Sequence, residues 1–426
     1  MSSTAQKLEP IPQSLGLFEG YGIELEYMIV RCETLDVAPV SDSLLLRASG
    51  NYSGDADRGK AGWSNELVLH VLEMKTNGPA PQLEGLADLF SGEIRAANRF
   101  LEAHDAILMP TAMHPWMRPD VEAKLWPHAN DEIYRAYDRI FGCTGHGWSN
   151  LQSMHINLPF GSAEEFGRLH AAIRLVLPII PMLAASSPIV EGRVTGIASS
   201  RLDFYRRNQE KVKEIAGDII PEPAFTPDEY HEQILEKTYR AIAPHDPDEL
   251  MREEWLNSRG AIARFDRDAI EIRLVDTQET PRADIAIAAL LCATIQSLCE
   301  ERHTSFAAQK EWRVAPLASI LNQAIVTGDD AVITNKGWLG EYGFAGRGPT
   351  TPRAFLEYLV DDALRAGHGG VRAYADTLGQ MITSGALARR ITKSLGRNAG
   401  NKARLKALYQ RLVNCLANGE LFDGRF

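Results

Sequence analysis

The chain lacks the local signatures that assign many nucleotide- and metal-dependent chemistries. It has no G-x-x-x-x-G-K-S/T loop, no G-x-G-x-x-G after a strand, no G-x-S-x-G and no H-E-x-x-H. P-loop, Rossmann, hydrolase-elbow and zincin readings lose their main support. Cysteine is sparse: 5 in 426 residues (Cys32, Cys143, Cys292, Cys299, Cys415), odd in number and never in a C-x-x-C pair. Neither a disulfide framework nor a zinc knuckle follows, and reduced, buried thiols are expected. Positive charge is in deficit. The 45 Lys and Arg against 56 Asp and Glu leave a net charge of −11, which opposes broad attraction to nucleic acid or anionic lipid and favours a small substrate. Long apolar runs are missing too. The stretches around Leu175 to Ala185 and Ile285 to Ile295 fall short of the roughly 18–20 residues of a membrane span, and Pro178 and Pro181 interrupt the first. No transmembrane helix is expected. Residues 1–14 are polar, carry two prolines and have no apolar signal core, so a flexible N-terminus and a cytoplasmic protein are expected.

What is present is ordinary in bulk: 45% hydrophobic and 24% charged residues are globular values. Period-two alternation over Gly22–Val30, Ser153–Leu158 and Ala269–Val275 predicts strands. Helical periodicity covers Gln82–Ala103, Ser162–Leu183, Asp228–Ile242, Arg282–Glu300 and most of Pro352–Ala417. The expectation is a single catalytic domain over 15–426, with most of the sheet and the site in 15–280 and mainly helices in 281–426. The Gly-rich stretches Gly142–Gly147 and Gly343–Gly348 have the wrong spacing for a dinucleotide fingerprint and read as loops. Between Arg389 and Arg411 stand eight basic residues and no acidic one. That segment reads as a solvated helix face, with phosphate binding or a partner surface as the alternative.

The predicted strands carry an unusual polar load. In Gly22–Val30, Glu24 and Glu26 share one face while Ile23 and Leu25 share the other. Two carboxylates about 7 Å apart need water or a hard cation such as Mg²⁺ to compensate them. In Asn65–Lys75, Glu66 and Glu73 sit in an apolar run, seven residues apart. An uninterrupted strand would put them on opposite faces, so a shared site requires a bulge or a break. Ser153, His155 and Asn157 share a face of the second predicted strand, and Glu271 and Arg273 a face of the third. Taken singly each pattern is compatible with a structural role. Several desolvated charges on neighbouring strands are costly unless a ligand or ion satisfies them.

These residues resemble glutamate–cysteine ligase family 2, the carboxylate–amine ligases, over roughly Phe18 to Ala289. The G-x-E-x-E pattern matches Gly22, Glu24 and Glu26; the Glu-rich second segment matches Glu66 and Glu73. The Q-x-x-H strand is similar to Gln152–His155, and the closing E-x-R-x-x-D strand to Glu271, Arg273 and Asp276. Between them, Ala184–Pro188, Gly192 and Ser199–Arg201 resemble the family's Ser-Pro and Ser-Arg segments. Ser153 departs from the pattern, standing where many members have a first histidine, and Ser186-Ser187 replaces a more usual Asn-Ser. The resemblance implies an α+β fold: a cupped antiparallel sheet backed by helices, with a glutamine synthetase/guanido kinase-like catalytic core and a helical C-terminal third. It implies ATP and two or three Mg²⁺ ions, with Mn²⁺ as the substitute. Glu24, Glu26, Glu66, Glu73, His155 and Glu271 would be metal ligands. Arg201, Arg264 and Arg273 would contact nucleotide phosphates, with Arg201 and Arg273 also at the activated carboxylate. The implied activity is ATP-dependent ligation of a carboxylate, the γ-carboxyl of glutamate, to an amino acid or amine through an acyl phosphate. A phosphotransferase of the same fold and a non-catalytic nucleotide-binding scaffold are the alternatives. Self-association is a fold-level expectation.

Overall fold

The computed structural model describes residues 15–345, 348–396 and 400–426. The N-terminus 1–14, Arg397 of the basic segment and part of the Gly343–Gly348 loop lie outside the described residues. Among the described residues ten strands are formed: β1 (Gly22–Arg31), β2 (Asp55–Asp57), β3 (Ala61–Asn65), β4 (Val71–Thr76), β5 (Ala106–Met109), β6 (Ser153–Pro159), β7 (Ile189–Val190), β8 (Arg193–Val194), β9 (Ala261–Arg264) and β10 (Ala269–Asp276). Eight make one antiparallel sheet in the order β2-β3-β4-β1-β6-β10-β9, with β5 beside the second half of β1. β7 and β8 form a separate ribbon. The fold is α+β, as the family resemblance implies.

Strand alternation divides the sheet into two unlike faces. Ile23, Leu25, Tyr27, Met154, Ile156, Ile270 and Ile272 are fully buried. They join the apolar sides of helices Leu86–Leu101, Ala163–Val176 and Pro281–Cys299 in one continuous core. Thr280 caps the last of these helices through Ala283 N–H, and Pro281 fits its first position. On the opposite face, Met28 and Val30 of β1 are covered by a second cluster from helices Leu387–Leu395 and Lys402–Asn418. Those C-terminal helices therefore cap the far half of β1, and the stretch holding Glu24 and Glu26 keeps its polar surroundings.

One element differs from the sequence reading, and two others are specified by the structure. The segment around Leu175 is not cut short by its prolines. Helix Ala163–Val176 passes through a tight turn, Leu177–Ile179, into helix Ile180–Ala184, with Pro178 and Pro181 at initial positions where no intrahelical N–H is required. The resulting 22 residues, Ala163–Ala184, and the 19 of Pro281–Cys299 are long and apolar enough to cross a membrane, but 94% and 89% of their apolar windows are buried inside the protein. Second, Asn65–Lys75 is not one strand but the turn and second arm of the β3–β4 hairpin, in which Asn65 pairs with Leu72 and Ser64 with Glu73. Third, the helical stretch after Pro352 holds, among the described residues, four helices, Pro352–Ala366, Gly369–Ser384, Leu387–Leu395 and Lys402–Asn418. Gly367 ends the first in a left-handed conformation (φ 82°).

Candidate functional site

The polar face of β4, β1, β6, β10 and β9 brings the acidic residues of four sequence segments together. Across β1 and β4, Glu26 is directly opposite Glu73; across β1 and β6, Glu24 is opposite His155; across β6 and β10, Asn157 is opposite Glu271. Facing pairs in an antiparallel sheet stand about 5 Å apart, so register alone crowds these groups. The hairpin break does for Glu66 what a continuous strand could not. Glu66 follows the last residue of β3 and reaches the same side as Glu73. Possible ligand atoms of Glu24, Glu73 and His155 lie within 4.8 Å of one another, and so do those of Glu26, Glu66 and Glu73.

His155 links the carboxylates. Its Nδ1 is 3.0 Å from Glu24 Oε2 and 3.7 Å from Glu271 Oε1, and its Nε2 is 3.7 Å from Glu26 Oε1. Burial alone would lower its pKa, but the hydrogen bond to Glu24 and the charges of Glu26, Glu271 and Glu24 raise it. For Glu24, burial pushes upward, yet the His155 hydrogen bond and the positive charges of His155, Lys75 and Arg267 bring the pKa down to about 2. Glu73 goes the other way, up to about 7, because burial and the nearby Glu24 charge outweigh Lys75 and Ser64. Glu66 is also raised, well above the ordinary carboxylate range, through burial and then the charges of Glu26 and Glu73. Glu66 and Glu73 are thus carboxylates whose like charges the protein groups do not balance, the condition a divalent cation relieves.

Arginines close the other end. Arg273 Nε lies 3.0 Å from Glu271 Oε1, and a quarter of its side chain is open to solvent. Arg264 is held by Asp266 at 2.9–3.0 Å and lies 3.6 Å from Glu271 Oε2. Arg201 differs from the expectation of a direct phosphate contact. It is 2% exposed, with Nη1 on Asp276 Oδ1 at 3.3 Å and Nη2 donating to the Arg273 carbonyl at 2.8 Å. Its guanidinium is committed to holding the end of β10. Asp276 also accepts from Ser186 N–H, Ser187 Oγ and Ser199 Oγ at 3.0–3.1 Å, so the two Ser-rich segments and the closing aspartate form one buried unit. A register slip between Ile272 and Val275 makes this possible. By simple alternation from Ile272, Asp276 would point into the core; the extra residue turns it to the side of Ser153, its partner across β6.

Further polar groups meet these carboxylates: Ser64, Lys75, Asn65 and Tyr134, which the sequence pattern did not single out, and Ser153 and Asn157, which it placed beside His155. Ser64 Oγ donates to Glu73, and Lys75 Nζ lies 3.8 Å from Glu73 Oε1. Asn65 and Tyr134 meet beside Glu66. Ser153, the departure from the family pattern, uses its N–H (2.7 Å) and Oγ (3.1 Å) on Glu26 Oε2, and its Oγ is 2.9 Å from His155 Nε2. Asn157 Nδ2 donates to Glu24 Oε1 at 3.1 Å. The Ser64 and Tyr134 contacts depend on hairpin register and a distant helix, for which the linear sequence holds no signal.

Comparison with known proteins gives the chain's relatives. The family model of glutamate–cysteine ligase family 2 matches residues 21–407. An Archaeoglobus fulgidus protein described only as uncharacterized is 38% identical over 281 residues, which are 66% of this chain and 75% of that one. A Nocardioides protein provisionally named glutamate–cysteine ligase 2-1 is 25% identical over 292 residues, 66% of this chain and 68% of its own. Among solved structures, the 2.0 Å crystal structure of glutamate–cysteine ligase from Francisella tularensis in complex with AMP superposes with a TM-score of 0.59 at 14% identity. The match covers 93% of this chain and 88% of that one, and it is a likeness of fold.

Proposed function

Since the chain belongs to glutamate–cysteine ligase family 2, a family of carboxylate–amine ligases, we propose that it is an ATP- and Mg²⁺-dependent ligase. In this reading it joins a carboxylate, the γ-carboxyl of glutamate, to an amino group. The observation that carries the reading is the convergence of Glu24, Glu26, Glu66, Glu73, His155 and Glu271 with Arg264 and Arg273 on one sheet face. Nucleotide use is supported by the AMP held by the structural relative.

Phosphoryl transfer needs positive groups around phosphate oxygens more than it needs a protein nucleophile. The buried carboxylates and His155 fit hard divalent cations, which supply neutralisation of phosphate charge when bound. Arg273 and Arg264, with planar donor forks, face the same space and would hold phosphate or the activated carboxylate. Arg201 acts one step back, fixing the Arg273 backbone. A carboxylate oxygen of the substrate attacks the γ-phosphorus of ATP, the bond to the β-phosphate oxygen breaks and ADP leaves. The amine nitrogen then attacks the acyl carbon, inorganic phosphate departs with the former carboxylate oxygen, and the nitrogen loses a proton. With five free cysteines, a reducing, cytoplasmic setting suits this chemistry.

The test is ADP release from Mg-ATP and glutamate across a panel of amino acids and amines, with product masses read in parallel. Amine-dependent ADP release with the matching condensation mass is expected. ADP formed at the same rate without any amine would replace the ligase with a phosphotransferase, and no nucleotide turnover with any acceptor would favour a non-catalytic member.

A further inference from the structure

Glu66 is the member of the acidic group not anchored within a strand. β3 ends at Asn65 and β4 begins at Val71, so the position of Glu66 is set by whatever fixes the turn. Downstream, the turn is stitched to the segment before helix Asp131–Phe141: Trp126 N–H donates to the Leu67 carbonyl, and Leu69 N–H to the Lys124 carbonyl, both at 2.9 Å. Upstream, the holding group is the Asn65 side chain. Its Nδ2 donates to the Glu66 carbonyl at 3.2 Å and to Tyr134 Oη at 2.9 Å, while its backbone N–H donates to the Gly54 carbonyl at 2.8 Å. Gly54 has φ 91°, and a Cβ there would run into Asn65 Oδ1. The chain has left room for this amide at the cost of a glycine conformation.

Tyr134 comes from helix Asp131–Phe141, which packs through a separate aromatic cluster. Tyr137, one turn on, lies 5.2 Å from Trp148 and 5.9 Å from Trp255 between ring centroids. Lys211 Nζ donates to the Ile140 carbonyl at 2.9 Å. The Asn65–Tyr134 hydrogen bond is therefore a side-chain tie between that satellite body and the turn bearing Glu66.

We infer that Asn65 and Tyr134 are positioning residues for Glu66, holding its carboxylate where it can join Glu26 and Glu73 around a divalent cation. The inference rests on the metal-binding reading of the site and adds the device that presets one ligand. A ligand that must be ordered at the moment of binding lowers affinity by the population of its competent state, so loss of the tie weakens ion binding without removing any ligand atom.

The experiment is Mn²⁺ titration of the nucleotide-free full chain, following free Mn²⁺ by electron paramagnetic resonance, for wild type, Tyr134→Phe, Asn65→Ala, Glu66→Gln and the double variant Tyr134→Phe/Glu66→Gln. Tyr134→Phe, which deletes only an oxygen from a partly buried ring, is expected to weaken Mn²⁺ binding about 3- to 10-fold, the size of one hydrogen bond. Asn65→Ala should lose at least as much. In the Glu66→Gln background the Tyr134→Phe change should cost nothing more, because the carboxylate it positions is gone. In turnover assays Tyr134→Phe should raise the half-saturating metal concentration and leave the rate at saturating metal near wild type. Equal losses from Tyr134→Phe in both backgrounds, or wild-type binding by both single variants, would overturn the positioning role. Unchanged Mn²⁺ binding by Glu66→Gln would instead sink the metal assignment of Glu66, a separate and distinguishable failure.

Discussion

Glu24 and Glu73 are chemically identical, lie on adjacent strands of one face and share a candidate ion, yet their proton affinities diverge to about 2 and about 7. Both are desolvated; the difference is that His155 bonds Glu24 directly, whereas Glu73 faces the Glu24 charge with a more distant Lys75 to offset it. A carboxylate's role here is set by what stands across the strand. Two predictions belong to single residues. Glu26→Gln and Glu271→Gln keep side-chain volume and remove a charge, and each is expected to lower turnover by about 100-fold or more with a melting temperature within a few degrees of wild type. Steady-state rates and calorimetry on the same preparations decide this. Arg273→Lys keeps the charge but loses the planar fork, so kcat should fall by about 10-fold or more while the fold is retained; a rate equal to wild type would show that Arg273 does not meet the transferred group.

Elements carry a second layer of requirements. The turn after β3 works because Gly54 accepts φ 91° beside Asn65. Gly54→Ala is expected to cost about 1–3 kcal/mol by denaturant unfolding, from a strained backbone and a displaced Asn65 amide. Helix Leu387–Leu395 is tied to the chain just beyond β10 by Arg390, whose Nη1 is 2.5 Å from Glu279 Oε1 and donates to the Phe422 carbonyl at 2.7 Å. Both ion-pair partners are essentially buried, so Arg390→Met leaves a stranded carboxylate and should destabilise the protein by about 3–5 kcal/mol; Glu279→Gln in the same chain should recover part of the loss. This also gives the basic segment several distinct environments. Arg390 is internal, Arg389 pairs with Asp329, and Arg411 lies 3.3 Å from Glu420. At this scale the sequence was legible where period and burial agree, as in β1, β6 and β10. At the Asn65–Val71 turn it showed only that a shared site requires a bulge or a break, and it was illegible at the β10 slip, because one inserted residue reverses facing without changing composition.

For the whole molecule, three buried histidines make stability fall in acid. Burial lowers the pKa of His70 and His114 to about 4 and of His170 to about 3. The unfolded chain takes up their protons below about 6.5, and the folded chain refuses them until pH falls to those lower values. Stability therefore declines as pH drops from 6.5 toward 4, by roughly 3 kcal/mol at most for each of His70 and His114. His170 stacks on Phe166 at 5.6 Å between centroids. His170→Phe should flatten that decline in denaturant curves taken at pH 7, 5.5 and 4.5; an unchanged slope would remove His170 from the acid response. The sequence by itself determined which side chains could serve the site: strand period put Glu24 with Glu26 and Glu271 with Arg273, and the order of motifs pointed to the family. Only the tertiary structure decided which of them meet. Antiparallel register set Glu26 against Glu73 and Glu24 against His155, a broken hairpin brought Glu66 around, and the β10 slip turned Asp276 toward Arg201. Periodicity is a property of neighbours along the chain, whereas register, turns and slips are settled by strands and helices far apart in sequence that must share one core.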